Sequence, residues 1–141
     1  MSRVRIELPE KFSFKTNIAI RITDLNYGGH VGNDTILTLI HEARVRFLKV
    51  LQYTELEMEG VGLIMSDAMI EFRAEVFYGD ELMVEVTAAE IGRAGFDLYY
   101  RMTSIDKGKI VAIAKTGMVC YDYNRKKVTG LPEPARKKLA L

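Results

Sequence analysis

The sequence has almost no cysteine. Cys120 is the single one in 141 residues, so no internal disulfide is possible and no cysteine-based zinc cluster can form. That scarcity fits a reducing, cytoplasmic setting. Cys120 lies in the apolar run Gly117-Met118-Val119-Cys120-Tyr121, which suits a small buried residue better than a nucleophile. No charge of one sign dominates either. The net charge is +1 with acids and bases interleaved, and without a basic stripe a nucleic-acid partner is not expected. Long apolar runs are also missing. None approaches the roughly 20 residues that span a bilayer, and the charged start from Met1 to Glu7 lacks the apolar stretch of a signal peptide. Phosphate loops of the Walker or Rossmann kind are absent, as are internal repeats and low-complexity segments.

What is present is an ordinary globular balance, 48% apolar and 28% charged, in a length that predicts one domain, 1–141, around a single core. Residues 1–14, with charges, Ile6, Leu8, Phe12, Phe14 and Pro9, read as an irregular or edge segment. From Lys15 to Thr23 the pattern alternates, with Thr16, Ile18, Ile20 and Ile22 pointing one way, a half-buried strand. A polar, glycine-rich loop follows, Asp24-Leu25-Asn26-Tyr27-Gly28-Gly29-His30-Val31-Gly32-Asn33-Asp34. It delivers a histidine and several carboxyl or amide side chains to the start of a helix, where unpaired N–H groups and a partial positive charge favour anions.

The helix spans Thr35 to Tyr53, with Ile36, Ile40, Ala43, Phe47 and Leu51 at helical spacing and Asn33 or Asp34 as N-cap. Gly60 and Gly62 close the connection after the acidic segment Glu55 to Glu59. Ala68 to Val76 alternates as a strand, Gly79-Asp80 turns it into Leu82 to Ala88, and Gly92-Arg93-Ala94-Gly95 turns again into Phe96 to Ile105. Asp106-Lys107-Gly108-Lys109 is a hairpin signal before a last strand, Ile110 to Tyr123, and Pro132 and Pro134 mark the tail. The expected class is α+β: a curved antiparallel β-sheet, in chain order β-α-β-β-β-β, wrapped around one long central helix. A sheet edge left over predicts dimerisation through the sheet.

The loop, together with Leu37, His41-Glu42-Ala43-Arg44 and Phe47-Leu48, resembles the hotdog-fold acyl-CoA thioesterases of the 4-hydroxybenzoyl-CoA thioesterase type. The resemblance runs over about residues 14–133 and includes Phe77 to Glu85, similar to the family's entry into its second sheet strand, and Leu131-Pro132 in its closing segment. Plant acyl-carrier-protein thioesterases carry a similar run that Asp24, His30, Val31 and Asn33 match directly. Two residues after the first aspartate, where bacterial members place a catalytic aspartate, this chain has Asn26, which cannot act as a base. The plant motif's inner asparagine is Gly28 here.

The resemblance implies hydrolysis of an acyl-CoA or acyl-carrier-protein thioester to acid and thiol. With the family's usual loop carboxylate missing at Asn26, Glu42 is the candidate base or nucleophile; the alternative is an ordinary i,i+4 ion pair with Arg46. His30 would donate to the thioester oxygen or position water, or else orient the loop through Asp24. Asp24 would bond loop amides or fix His30. Asn26 would orient the reactants, and the Asn33 amide would hold the oxyanion. Gly28 and Gly29 read as room for the thioester arm. Arg93, with other turn cations, could meet coenzyme A phosphates. His41 reads as structural or exposed. No metal and no separate cofactor are expected, coenzyme A entering as part of the substrate, and a homodimer or homotetramer is expected. A hotdog-type hydratase or dehydratase and a non-catalytic acyl-CoA binding module are the other functions this loop would suit.

Overall fold

The structure, a computed structural model, describes residues 2–141. Strand β1 (Phe14–Ala19) leads through the loop into helix α1 (Asn33–Val50), followed by β2 (Gly62–Phe72), β3 (Glu81–Ala89), β4 (Gly95–Ser104), β5 (Lys109–Asp122), the short β6 (Lys127–Val128) and helix α2 (Glu133–Leu139). The strands form one antiparallel sheet in the order β1-β3-β4-β5-β2, with β6 beside β5. The α+β class and the single long helix are as expected.

α1 is helical because Ile36, Leu39, Ile40, Ala43, Phe47 and Leu48 recur three or four residues apart and are all buried. Fully burying one such aliphatic side chain contributes about 1.5–3 kcal/mol. Facing them are the inward residues of the sheet, Leu82, Val84 and Val86 on β3 and Phe96, Leu98, Tyr100 and Met102 on β4, all buried. The helix ends in a left-handed Gln52 (φ 68°), and the Tyr53 amide bonds back to the Leu48 carbonyl at 2.8 Å, the Schellman closure. The sheet does not enclose the helix completely: Thr38, His41, Glu42, Val45 and Lys49 are exposed.

Several expectations are corrected. The first strand stops at Ala19, and Ile22, 65% exposed, belongs to a 3-10 turn over Ile22–Asp24. The alternation read as a strand from Ala68 to Val76 is the end of a longer one that begins at Gly62 and finishes at Phe72. An irregularity between Met65 and Asp67 shifts its register against β5, which breaks the period of two that would have revealed its first half. Nor is β2 hairpinned to β3. Residues 73–80 cross from β2 at one end of the strand order to β3, next to β1 at the other, so the meander is β3, β4 and β5, continued by the short β6. The N-cap is Gly32, with neither Asn33 nor Asp34 in that place. The tail is not plain coil: Pro134, in the first turn where a missing N–H costs nothing, starts α2, which buries Ala135 and Leu139.

The amino-terminal segment crosses the sheet's outer face. The Ile6 amide donates to Glu71 Oε1 at 3.3 Å, the Arg101 guanidinium lies 4.7 Å from the Phe12 ring centroid, and Ser13 and Thr87 hydroxyls are 3.4 Å apart. β2 holds one edge, and β5 is its only strand partner among the described residues.

Candidate active site

The loop between β1 and α1 is held by its own short contacts. Asp24 is buried and accepts from the Arg21 amide at 2.8 Å and from Arg21 Nη2 at 3.3 Å. It therefore pins the 3-10 turn; its carboxylate is not the partner of His30. Asn26 Oδ1 accepts from the Gly28 amide at 2.8 Å, an Asx turn. The Asn26 amide donates to the His30 carbonyl at 2.8 Å and that of Gly29 to the Asn26 carbonyl at 3.1 Å. Gly29 needs its glycine, since its φ is +82°. At Gly28 a Cβ would be a tight fit, 3.2 Å from Asn26 Oδ1 and 3.4 Å from His30 Nε2.

His30 Nδ1 is 3.1 Å from the Val31 carbonyl oxygen. A carbonyl only accepts, so Nδ1 carries the proton, and a neutral ring then presents Nε2 as a lone pair. That makes the neutral histidine an acceptor of a water proton rather than a donor to a thioester oxygen. The ring stands edge-on to Phe77, centroids 6.5 Å apart, and the Val31 amide donates to the Val76 carbonyl at 2.8 Å. These contacts dock the loop on the β2–β3 crossover.

Between them lies a cavity of about 320 Å³, whose lining includes His30, Asn33, Ile36, Arg73, the acidic residue Glu75 and Val111. Its floor is apolar, and it opens beside the start of α1, where no side chain caps the first-turn amides. An uncapped helix start facing an apolar cavity with a histidine at its rim can hold a carbonyl whose oxygen gains negative charge. Phe72, Val76, Phe77 and Val111 had no signal in the sequence as site residues. They arrive through the crossover and β5, whose placement is a matter of tertiary pairing.

Two expected members lie elsewhere in the chain. Glu42 Oε2 is 2.8 Å from Arg46 Nε, and Arg46 Nη1 reaches Thr16 Oγ1 and the Asn17 carbonyl, both at 2.9 Å. Its carboxylate thus sits on the β1 flank of α1, away from the cavity. Arg93 is exposed in the β3–β4 turn, where its carbonyl accepts from the Leu131 amide at 2.8 Å. The loop leaves β1 beside the Glu81 end of β3, since Ala19 pairs with Glu81, while Arg93 follows the other end. Strand β3 separates them by about 25–30 Å. Asn26, Gly28, Gly29, His30 and Asn33 are brought together; Glu42 and Arg93 are not.

A further polar network was missed. Arg44 is 5% exposed. Its Nε is 3.2 Å from Glu55 Oε2 and its Nη1 3.3 Å from the Tyr100 hydroxyl, which is 2.7 Å from Thr116 Oγ1. Burial pushes the Tyr100 phenol above its ordinary range. Glu55 also takes His41 Nε2 at 2.7 Å. The sequence signal was a charged residue inside the apolar arc of the helix. This network joins helix to sheet and does not touch the cavity. Among the described residues there is no cluster of three or more histidine, cysteine or carboxylate side chains able to hold a metal ion.

The model of the thioesterase-like superfamily matches residues 20–139. The chain belongs to this superfamily. Within it, a 1,4-dihydroxy-2-naphthoyl-CoA hydrolase of Nostoc punctiforme is 26% identical over 127 residues, 86% of this chain and 82% of that protein. Among solved structures, a 1,4-dihydroxy-2-naphthoyl-CoA thioesterase from Synechocystis superposes with a TM-score of 0.82 at 24% identity, covering 90% of this chain and 95% of that one. A Thermus thermophilus thioesterase complexed with coenzyme A and zinc gives 0.79 at 23% identity, over 93% and 95%. These likenesses establish the hotdog thioesterase fold for this superfamily member. Among its described residues no helix is long and apolar enough to cross a membrane.

Proposed function

We propose that this chain is a homo-oligomeric acyl-CoA thioesterase that cleaves its substrate to free acid and thiol. The observation that carries the reading is the uncapped start of α1 at a cavity shared by His30 and Asn33. A thioester carbonyl seated there would direct its oxygen at the Asn33 amide. Water adds to the carbonyl carbon and gives up a proton to a base. The oxyanion is held by the amide and the helix dipole. Its collapse breaks the carbon–sulfur bond, and the thiolate takes the proton back. His30 Nε2 is the acceptor that positions the water, and Asn26 and Asp24 hold the loop in shape.

Glu42 serves as general base, or as a nucleophile forming a mixed anhydride, but from a second copy of the chain. Its own helix keeps it from its own cavity. Two features favour such an assembly, dimer or tetramer. β2 leaves a backbone edge 11 residues long, and Met65 on it is 41% exposed. An unpaired, apolar edge strand is a ready template for another copy. The single buried cysteine favours a cytoplasmic location.

The test is thiol release over short, long, branched and aromatic acyl-CoAs. The aromatic arm starts from a bicyclic acid, since two cyanobacterial relatives are named for 1,4-dihydroxy-2-naphthoyl-CoA. Thiol release is expected, and Glu42→Ala and His30→Ala should each lower it at least tenfold while the protein stays folded. Tight acyl-CoA binding with no thiol released would overturn the reading in favour of a binding module. Consumption of substrate without thiol would point to a hydratase.

A further inference from the structure

A larger groove, about 1000 Å³, runs between the amino-terminal segment and the end of β2, and it is lined by Arg3, Val4, Arg5, Ile6, Glu7, Ile70, Glu71, Phe72 and Arg73. Three of its features point the same way. The first is continuity: Phe72 and Arg73 also line the cavity that holds His30 and Asn33, so the groove and the cavity are two chambers on either side of the same pair of side chains. The second is charge. Three guanidinium groups face two carboxylates, and Glu71 is already committed, taking Arg73 Nε at 2.7 Å and the Ile6 amide at 3.3 Å. Arg73 and these neighbours, Arg5 included, hold the Glu71 carboxyl below the usual carboxylate range. Arg3 and Arg5 form no ion pair within 4.0 Å among the described residues. The third is shape: an open, solvent-facing channel suits a polar, multiply charged group, whereas an acyl chain would favour the apolar cavity next door.

We infer that this groove holds the phosphorylated nucleotide end of the acyl-CoA, with Arg3 and Arg5 on its phosphates and Arg73 at the neck through which the pantetheine arm passes to the thioester site. Guanidinium groups match phosphate oxygens in planar pairs. The amino-terminal segment is thereby a binding strap as well as the cover of the sheet's outer face. It takes the part that Arg93, at the far end of β3, was expected to play. The inference rests on the thioesterase reading, since it supplies the other end of the same substrate.

The experiment compares one acyl group carried on coenzyme A and on pantetheine, which lacks the nucleotide and its phosphates. For the Arg3→Ala/Arg5→Ala double variant, KM for the acyl-CoA should rise at least tenfold with kcat within twofold, and kcat/KM for the acyl-pantetheine should move less than twofold. Both arginines are exposed, so the variant should melt with the wild type. In parallel, adenosine 3′,5′-bisphosphate is titrated by calorimetry, which needs no turnover. The wild type should bind it and the double variant should bind at least tenfold more weakly. Equal changes on the two thioesters, or no change on either, would overturn the nucleotide site, and so would equal bisphosphate affinity in both proteins. If neither thioester is cleaved but the bisphosphate still binds through Arg3 and Arg5, the hydrolytic reading fails and the nucleotide site stands.

Discussion

If Glu42 works in the cavity of a second copy, two inactive variants should rescue each other. Glu42 is nine residues beyond Asn33, which at about 1.5 Å per residue is about 13 Å along the axis, and two and a half turns of rotation. No glutamate side chain bridges that gap, and this one is tied to Arg46 at 2.8 Å. In a two-fold dimer of His30→Ala with Glu42→Ala chains, one site joins both altered residues and the other joins both native ones. Equal amounts reassembled at random give half mixed dimers, so the mixture should recover about a quarter of wild-type activity. Each parent alone should sit at least tenfold down, about 1.4 kcal/mol or more of lost transition-state stabilisation. The assay is thiol release after co-refolding, against each variant refolded by itself. A mixture no more active than the mean of its parents would refute the shared site. So would a wild-type protein that is fully active as a monomer by light scattering.

Arg44→Leu should remove a buried partner from Glu55 and Tyr100; because Glu55 is part-exposed and keeps His41, the cost should be about 1.5–3 kcal/mol in urea unfolding, a Tm drop of roughly 5–10 °C for a chain of this size. Tyr100→Phe should cost closer to 1 kcal/mol; equal effects would mean the ion pair matters no more than the hydroxyl. Gly95→Ala should fail to fold or unfold far earlier, because a Cβ there would lie 2.2 Å from the Met118 carbonyl oxygen; wild-type stability would show that β4 and β5 part easily. Burial pushes the Cys120 thiol up to about 11. Since the thiolate is the reactive form, a disulfide reagent at pH 8 should label it only after denaturation, and prompt labelling of native protein would contradict its place in the core.

The parts of the fold set by local pattern were legible. α1 announces itself because its buried residues repeat at 3.6, and β3 and β4 because each alternates between short turns, while β5 shows as a mostly apolar run behind a hairpin signal. What failed was non-local. The strand β2 alternates correctly only after its irregularity at Met65 and Asp67, and nothing in residues 73–80 distinguishes a turn from a crossover. That single misreading hides the sheet order. Ile22 continued the apolar alternation but was released to solvent when Asp24 captured the Arg21 amide. α2 was masked because its first turn carries the proline that reads as a stop.

The site divides along the same line. Its loop is local: Asn26 to Gly28, Asn26 to His30 and the left-handed Gly29 are contacts within five residues, and they could be anticipated as a turn. Yet the turn does not explain the asparagine. A carboxylate at residue 26 would accept the Gly28 amide equally well, so the amide side chain costs the loop nothing in shape while removing its base. Between Asn26 and Asn33 the basic atom is then His30 Nε2, left open by the contact of Nδ1 with the Val31 carbonyl. What else the proposed hydrolysis would need comes from outside that turn: the apolar walls from β5 and the crossover, which also brings Glu75 to the cavity, the oxyanion amides from the helix start that follows the loop, and the proposed carboxylate, Glu42, from a helix face that is solvent-exposed in one chain. An exposed glutamate tied to an arginine is an ordinary surface pair when the chain stands alone, and it becomes part of a site only if another copy covers it.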